Sequence, residues 1–295
     1  MVEQTVYLID SSPYIFRAFF SLPSSMRDGE GRPVNAVYGF ASFLIRLITE
    51  EEPSHLAATF DGRLSESFRN DLYSAYKAQR EAPPQELKDQ IGLCREIAEA
   101  LGVATLIDMS YEADDLCGTL AARFAEQGHR AVVVTSDKDL AQLVTDRVSL
   151  YDFAKGSHFG PAEVREKFDV APEQIADYLG LAGDAVDNIP GVPGIGKKTA
   201  AALLQGMGTL DAALDRLDEV AELPLRGAKS LAKKLTEHRD QALLSRQLAT
   251  IVTDAPVAAE MEDLELRGAS EEKVDPLFER LGFGATLRDR IPAWA

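Results

Sequence analysis

The acidic side chains of this sequence are placed where they could do chemistry. Asp10 follows the apolar run TVYLI, Asp61 follows LAATF, and Asp137 follows AVVVTS, with Asp139 two residues on. Glu112, Asp114 and Asp115 come just after VATLI, and Asp184 and Asp187 lie in GDAVDNIPGVPGIG. Any one of these has an ordinary explanation, because Asp and Glu are common in loops and favour the first turn of a helix. The set of nine resists it. Two carboxylates about 4 Å apart repel by roughly 1 kcal/mol in water and by about 4 kcal/mol at an effective dielectric near 20. Gathering several makes sense with a cation among them. The chain has two cysteines, Cys94 and Cys117, and four histidines, so the all-oxygen set suits Mg2+ or Mn2+ better than a soft metal. Two such ions would suit phosphoryl chemistry, one activating a water and both stabilising the attacking and leaving oxygens. Neither a Ser–His–Asp nor a Cys–His set competes for that work.

The acids meet only if the runs before them are neighbouring parallel strands. Residues 5–9, 56–60, 103–107, 131–135 and 148–151 read as strands, and residues 37–49, 86–101 and 111–127 have apolar positions at helical spacing. This alternation predicts an α/β domain with a mostly parallel sheet, whose ligands bind at the carboxyl ends of the strands. After residue 160 the strand-like runs stop. Helical patterns follow over 161–168, 172–181, 197–204, 209–217, 227–238 and 241–250, interrupted by the Gly/Pro-rich loop 183–196. Three regions are expected: an α/β core at 1–160, a helical region at 161–255, and an acidic C-terminal extension at 256–295 packed on the core.

Composition narrows the partners. A chain of 295 residues with 45% hydrophobic and 27% charged residues is that of a folded, soluble protein. No apolar run approaches the ~18 residues that span a membrane, and MVEQTVYLID lacks a signal pattern. A cytoplasmic protein without a membrane partner is expected, with Cys94 and Cys117 as reduced packing residues. The net charge of −17 opposes a generally basic coat for a polyanion. Three stretches run against it. Arg69, Tyr73, Tyr76, Lys77 and Arg80 recur at helical spacing, with cations for phosphates and tyrosines for stacking on bases, or else as a solvated helix face with the tyrosines against the core. Residues 224–239 hold Arg226, Lys229, Lys233, Lys234 and Arg239 against the single acid Glu237. In GVPGIGKKTA, Gly194 and Gly196 allow close backbone approach, and Lys197 and Lys198 oppose the helix dipole in the first turn, a placement that an anionic backbone would relieve.

The motifs YLIDSS, FDGR, SFRNDLYSAYKAQR, YEADDL, TSDKDLAQLV and GDAVDNIPGVPGIGKKTA, in that order and spacing, resemble the 5′-nuclease family over roughly residues 4–250. That family comprises the N-terminal nuclease domains of bacterial DNA polymerase I, phage 5′-exonucleases and flap endonucleases. The resemblance implies a PIN-like core with a helical arch at about 63–86 and a helix–three-turn–helix motif around 191–196 that grips duplex DNA, in some members with a K+ on turn carbonyls. It implies that Asp10, Asp61, Glu112 and Asp114 serve a first metal and that Asp137, Asp139 and Asp184 serve a second. Asp114 would be shared, and Asp115 and Asp187 would close the shell, with water as the expected bridge to the ions. Lys77 and Arg80 would sit near the scissile phosphate as catalytic groups together with Asp114, and Tyr76 would stack on an unpaired base. Arg69, Gly194, Gly196, Lys197, Lys198, Lys229, Lys233 and Lys234 complete the expected DNA contacts. The implied partners are DNA with 5′ flaps or 5′ ends and RNA primer–DNA hybrids, handled by a monomer. The polymerase-associated members continue into further domains, so the chain is expected to be either a stand-alone nuclease or a piece of a longer protein. The rivals are a PIN-type ribonuclease and an inert DNA-junction-binding protein.

Overall fold

The computed structural model describes residues 2–63 and 67–292. Residues 64–66, within the expected arch, lie outside the described residues, as do the last three of the expected extension. Six strands form one sheet: β1 (Thr5–Asp10), β2 (His55–Asp61), β3 (Ala104–Asp108), β4 (Arg130–Val134), β5 (Val148–Asp152) and β6 (Ser157–Phe159). Their order is β3-β2-β1-β4-β5-β6, and every pairing is parallel except β5 with β6. The mostly parallel sheet expected from the alternation is therefore present. Asp10 and Asp61 are the last residues of β1 and β2, and Asp137 lies three residues beyond β4. The strand order reverses between β1 and β4, the switch point at which open α/β sheets bind ligands.

Side chains alternate across each strand and build a core on each face. Ile9, Leu56, Phe60 and Val134 pack with the helices α1 (Ser11–Ser21), α2 (Asn35–Glu51) and α4 (Gln85–Ala100). Along α2 the buried residues Val37, Phe40, Ala41, Leu44, Leu47 and Ile48 fall at helical spacing. Each large one contributes roughly 1.5–3 kcal/mol by leaving water. Val6, Leu8, Ala57 and Val133 face the other way, onto α5 (Ala113–Glu126). The short α3 (Phe68–Leu72) lies between β2 and α4.

The second core runs on without a break into the helical region. This region contains α6 (Pro161–Phe168), α7 (Ile175–Ala182), α8 (Lys197–Met207), α9 (Leu210–Asp215), α10 (Leu217–Glu222), α11 (Ala228–Glu237) and α12 (Arg239–Ala249). The loop between α7 and α8 is pinned at both ends. Asp184 and Ile189 exchange backbone hydrogen bonds of 2.9 and 2.8 Å. Gly191 N–H donates to Ser245 Oγ (3.0 Å), and Gln241 donates to Gly191 O (2.7 Å). Gly183 and Gly191 pass so close that a Cβ on Gly191 would lie 2.3 Å from Gly183 N, and both have positive φ. Only glycine serves at that crossing.

The chain then returns to the sheet, where Leu266 N–H bonds Ser54 O and α13 (Glu271–Leu281) packs beside α4, followed by α14 (Ala285–Arg288). Sequence pattern alone did not anticipate α1, β6, α13 or α14. One expected helix is absent: α3 ends at Leu72 and residues 74–79 form turns. The reason is tertiary, because Lys77 adopts φ 54 and its N–H bonds Asp187 O at 3.0 Å. No helix among the described residues is long and apolar enough to cross a membrane.

Candidate metal centre

A pocket of about 220 Å3 opens at the carboxyl edge of the sheet, lined by Asp10, Asp61, Glu112, Asp114 and Asp137 together with Ser12, Lys77 and Arg80. Each acid is held by its own element. Asp10 is nearly buried and accepts a 2.9 Å bond from Thr135 Oγ1, whose oxygen in turn accepts Asp137 N–H at 3.0 Å. Asp61 accepts from Ser12 Oγ (2.6 Å) and from Ala113 N–H (2.8 Å). Glu112 caps α5, with Asp114 and Asp115 in its first turn.

The nine acids fall into two kinds. Five are already engaged by lysine or arginine. Asp115 is fully buried and takes two 2.7 Å bonds from Arg69, while Val252 N–H (2.8 Å) and Glu112 N–H (3.2 Å) fill its remaining lone pairs. Glu112 holds Lys77 Nζ at 2.9 Å and Arg69 at 3.3 Å. Asp187 is paired with Arg80 and lies 3.7 Å from Lys77 Nζ. Asp139 and Asp184 share Lys138, at 3.0 and 2.5 Å, and line a neighbouring pocket. The other four, Asp10, Asp61, Asp114 and Asp137, make no ion pair with a described residue and face the same cavity.

Burial and neighbouring charge act unequally on these carboxyls. Burial, then Asp61 and Asp137, push the Asp10 carboxyl up to about 8. Burial, then Glu112 and Asp115, raise Asp114 well above the carboxylate range. Burial and Asp137 bring Asp139 up to about 6, even with Lys138 beside it. For Glu112 the burial effect is outweighed by Lys77 and Arg69, and its carboxyl is lowered. A divalent cation would relieve the raised groups, and their donors are all hard oxygens. The residues present therefore fit Mg2+ or Mn2+. Glu112, Asp114 and Asp115 also offer oxygens within 4.8 Å of one another. In that trio a metal would reach Asp115 only by displacing Arg69.

Two sequence expectations need correction. Arg69 does not face a nucleic acid: it is 1% exposed, and all five of its N–H groups are used, on Asp115, Glu112, Leu248 O and Thr250 O. Tyr76 is 3% exposed with its hydroxyl on Glu112 (3.2 Å) and Asp187 (3.3 Å), so its ring is not presented for stacking on a base. Arg69 and Tyr76 are both held inward by acids, Arg69 by Asp115 and Tyr76 by Glu112 and Asp187. Asp115 stands beside Glu112 and Asp114 with both oxygens bonded by Arg69, which suits an outer place in the shell. Lys77 and Arg80 do reach the pocket. Gly194, Gly196, Lys197, Lys198, Lys229 and Lys233 are exposed, about the loop before α8 and on α11. Lys234 is half-buried and donates to Gly194 O at 3.1 Å, tying α11 to that loop. The sequence reading passed over Ser12, Thr135 and Lys138. A hydroxyl two residues past Asp10 and another two before Asp137 were the available signals.

The chain belongs to the 5′-3′ exonuclease family. Residues 5–169 match the family's N-terminal resolvase-like domain and residues 170–272 its C-terminal SAM fold. It is 42% identical over 290 residues to DNA polymerase I of Bacillus caldotenax, covering 97% of this chain and 32% of that protein. It is 41% identical over 293 residues to DNA polymerase I of Bacillus subtilis, covering 98% and 32%. The chain thus spans about a third of the length of these relatives. Among solved structures, the T5 D15 protein co-crystallized with metal ions shares the fold at TM-score 0.70 and 19% identity, covering 94% of this chain and 100% of that one. The catalytic core of Rad2 in complex with DNA substrate matches at TM-score 0.65 and 12% identity, covering 98% and 91%.

Two outcomes are expected. Asp10 holds a proton in the folded protein that the unfolded chain, at 3.8, releases. Without divalent ions, stability should therefore fall as pH rises from about 4 to about 8, and Mg2+ should raise the melting temperature more at pH 8 than at pH 5. Calorimetry at constant ionic strength checks this, and an equal Mg2+ effect at both pH values would contradict it. Arg69→Met leaves Asp115 buried and uncompensated, which should cost about 3–5 kcal/mol in urea unfolding. A loss below about 1 kcal/mol would show the pair to be dispensable.

Proposed function

We propose that this chain is a structure-selective 5′ nuclease. It hydrolyses DNA phosphodiesters at 5′ ends and near the single-strand/duplex junction of 5′ flaps, with RNA primer–DNA hybrids among its substrates. Primer removal in replication and excision in repair would follow. The observation that carries this is the four uncompensated carboxylates, Asp10, Asp61, Asp114 and Asp137, sharing one pocket with Lys77 and Arg80. Family membership and the fold support it.

Asp10, Asp61 and Asp114, with Glu112, would hold a first divalent ion. Asp137, with Asp139 and Asp184, would hold a second, and Mg2+ or Mn2+ suits both. Bound there, the ions supply a lowered water pKa and neutralisation of developing charge. The chain's own residues do the rest. Ser12 and Thr135 fix the orientation of Asp61 and Asp10. Burial and the carboxylates act on Lys77 in opposite directions, and Glu112 and Asp187 prevail, so the ammonium stays charged. Lys77 and Arg80 are placed to seat the scissile phosphate and to stabilise its charge as the bond breaks.

The duplex would lie across the loop before α8. Lys197, Lys198, Lys229 and Lys233 are exposed, as are Gly194 and Gly196, and Lys234 ties α11 to that loop. Gly194 O already accepts the Lys234 ammonium, so a K+ at that carbonyl would compete with Lys234, and the grip on phosphates is assigned to the lysines. A monomer acting on DNA in the cytoplasm suffices for this reading.

A 5′-labelled flap substrate incubated with Mg2+ tests the proposal. Asp10→Asn should lower the cleavage rate by a thousand-fold or more, about 4 kcal/mol of transition-state stabilisation, while flap binding stays measurable. Cleavage of single-stranded RNA in preference to the flap would favour a PIN-type ribonuclease. Divalent-dependent cleavage that survives in Asp10→Asn would sink the metal assignment.

A further inference from the structure

Lys138 stands between Asp137 and Asp139 in sequence, and its ammonium lies between two carboxylates, 3.0 Å from Asp139 Oδ1 and 2.5 Å from Asp184 Oδ2. Those two acids come from segments far apart in the chain, the turn after β4 and the loop before α8. An ammonium between two carboxylate oxygens has the position and the charge sign of a divalent ion on the same oxygens.

We propose that Lys138 is a resident counter-ion of the Asp139–Asp184 pair, and that a divalent cation enters between these carboxylates only by displacing it. This rests on the nuclease reading of the metal centre and adds an order to it. The first ion enters the uncompensated set around Asp10, and the second is in competition with a lysine.

Lys138, unlike Arg69 and Lys77, is held loosely enough to leave. Arg69 is buried with every donor used, and Lys77 is fixed by its own backbone bond to Asp187. The Lys138 side chain is 35% exposed and ends in a compact charge on a flexible stem. It also lines a small second pocket, of about 30 Å3, with Asp137, Asp152, Lys155 and Lys167. There Asp152 Oδ2 holds Lys155 at 2.7 Å, while Asp152 Oδ1 is buried and has no hydrogen-bond partner among the described residues. That oxygen could receive the displaced ammonium. Until the second ion arrives, Lys138 keeps Asp139 and Asp184 from repelling each other. Occupancy of the second site then follows the free metal concentration.

Isothermal titration of the full chain with Mn2+, without DNA, tests this. The wild type should show a tighter and a weaker class of ion. Lys138→Met should tighten the weaker class roughly ten-fold, equivalent to about 1.4 kcal/mol, and leave the tighter class unchanged. Lys138→Gln, which keeps a polar stem and guards against misfolding of the Met variant, is read in the same way with circular dichroism as the folding control. A weaker class that stays unchanged or loses affinity in both variants overturns the proposal. Asp10→Asn separates the two readings, since it should abolish the tighter class. If it abolishes nothing, the metal centre itself is misassigned, whereas a normal Asp10→Asn response with an unmoved weaker class overturns only the role of Lys138.

Discussion

Repulsion among carboxylates is the constraint on which the rest of this structure depends. Nine acids converge on one side of a sheet, and each close pair costs up to about 4 kcal/mol in a partly buried setting. The fold meets most of that cost internally. Arg69 neutralises Asp115, Lys77 and Arg80 sit on Glu112 and Asp187, and Lys138 joins Asp139 to Asp184. What is left, Asp10, Asp61, Asp114 and Asp137, is the part of the cluster that calls for an external cation. The binding site is thus defined as much by where the protein supplies positive charge as by where it places negative charge.

Sheet topology explains why the uncompensated acids meet. Parallel neighbours end on the same side, and the reversal of strand order between β1 and β4 opens a crevice beside Asp10. The helical region is not a separate attachment, since its core is continuous with one face of the sheet. Loop 183–196 can therefore bring Asp184 and Asp187 to the acids of the sheet and hold Lys197 and Lys198 outward at the start of α8. One rigid connection links the metal pocket to the surface assigned to duplex.

Much of this was legible in the sequence, for identifiable reasons. Asp10, Asp61 and Asp137 were found because β-branched runs mark strands and the residue after each run marks the binding edge. Long helices such as α2 showed their apolar period plainly. The failures share one cause, a tertiary contact overriding local pattern. Arg69, Tyr76 and Arg80 have good helical spacing, but a buried Asp115 draws Arg69 inward, and the positive φ at Lys77 ends any helix there. Spacing shows which residues could share a face and cannot show that one of them is needed as a counter-ion inside. In α1, aromatic residues and Pro13 obscured the helical period, although proline is tolerated in a first turn.

The net charge of −17 also takes on a more specific meaning. Nine of the acids lie in or beside the candidate metal pocket, while Lys197, Lys198, Lys229 and Lys233 are exposed around the loop before α8 and on α11. Binding to a polyanion through these lysines should weaken as salt rises, with a slope set by the number of phosphates they neutralise. The central claim is that the fold itself selects which carboxylates remain for metal. Anomalous diffraction from crystals soaked in low Mn2+ reads this directly. The strongest peak should lie among Asp10, Asp61, Asp114 and Asp137 with Arg69 still on Asp115; a strongest peak on Asp115 or Asp187, with Arg69 or Arg80 displaced, would contradict the account.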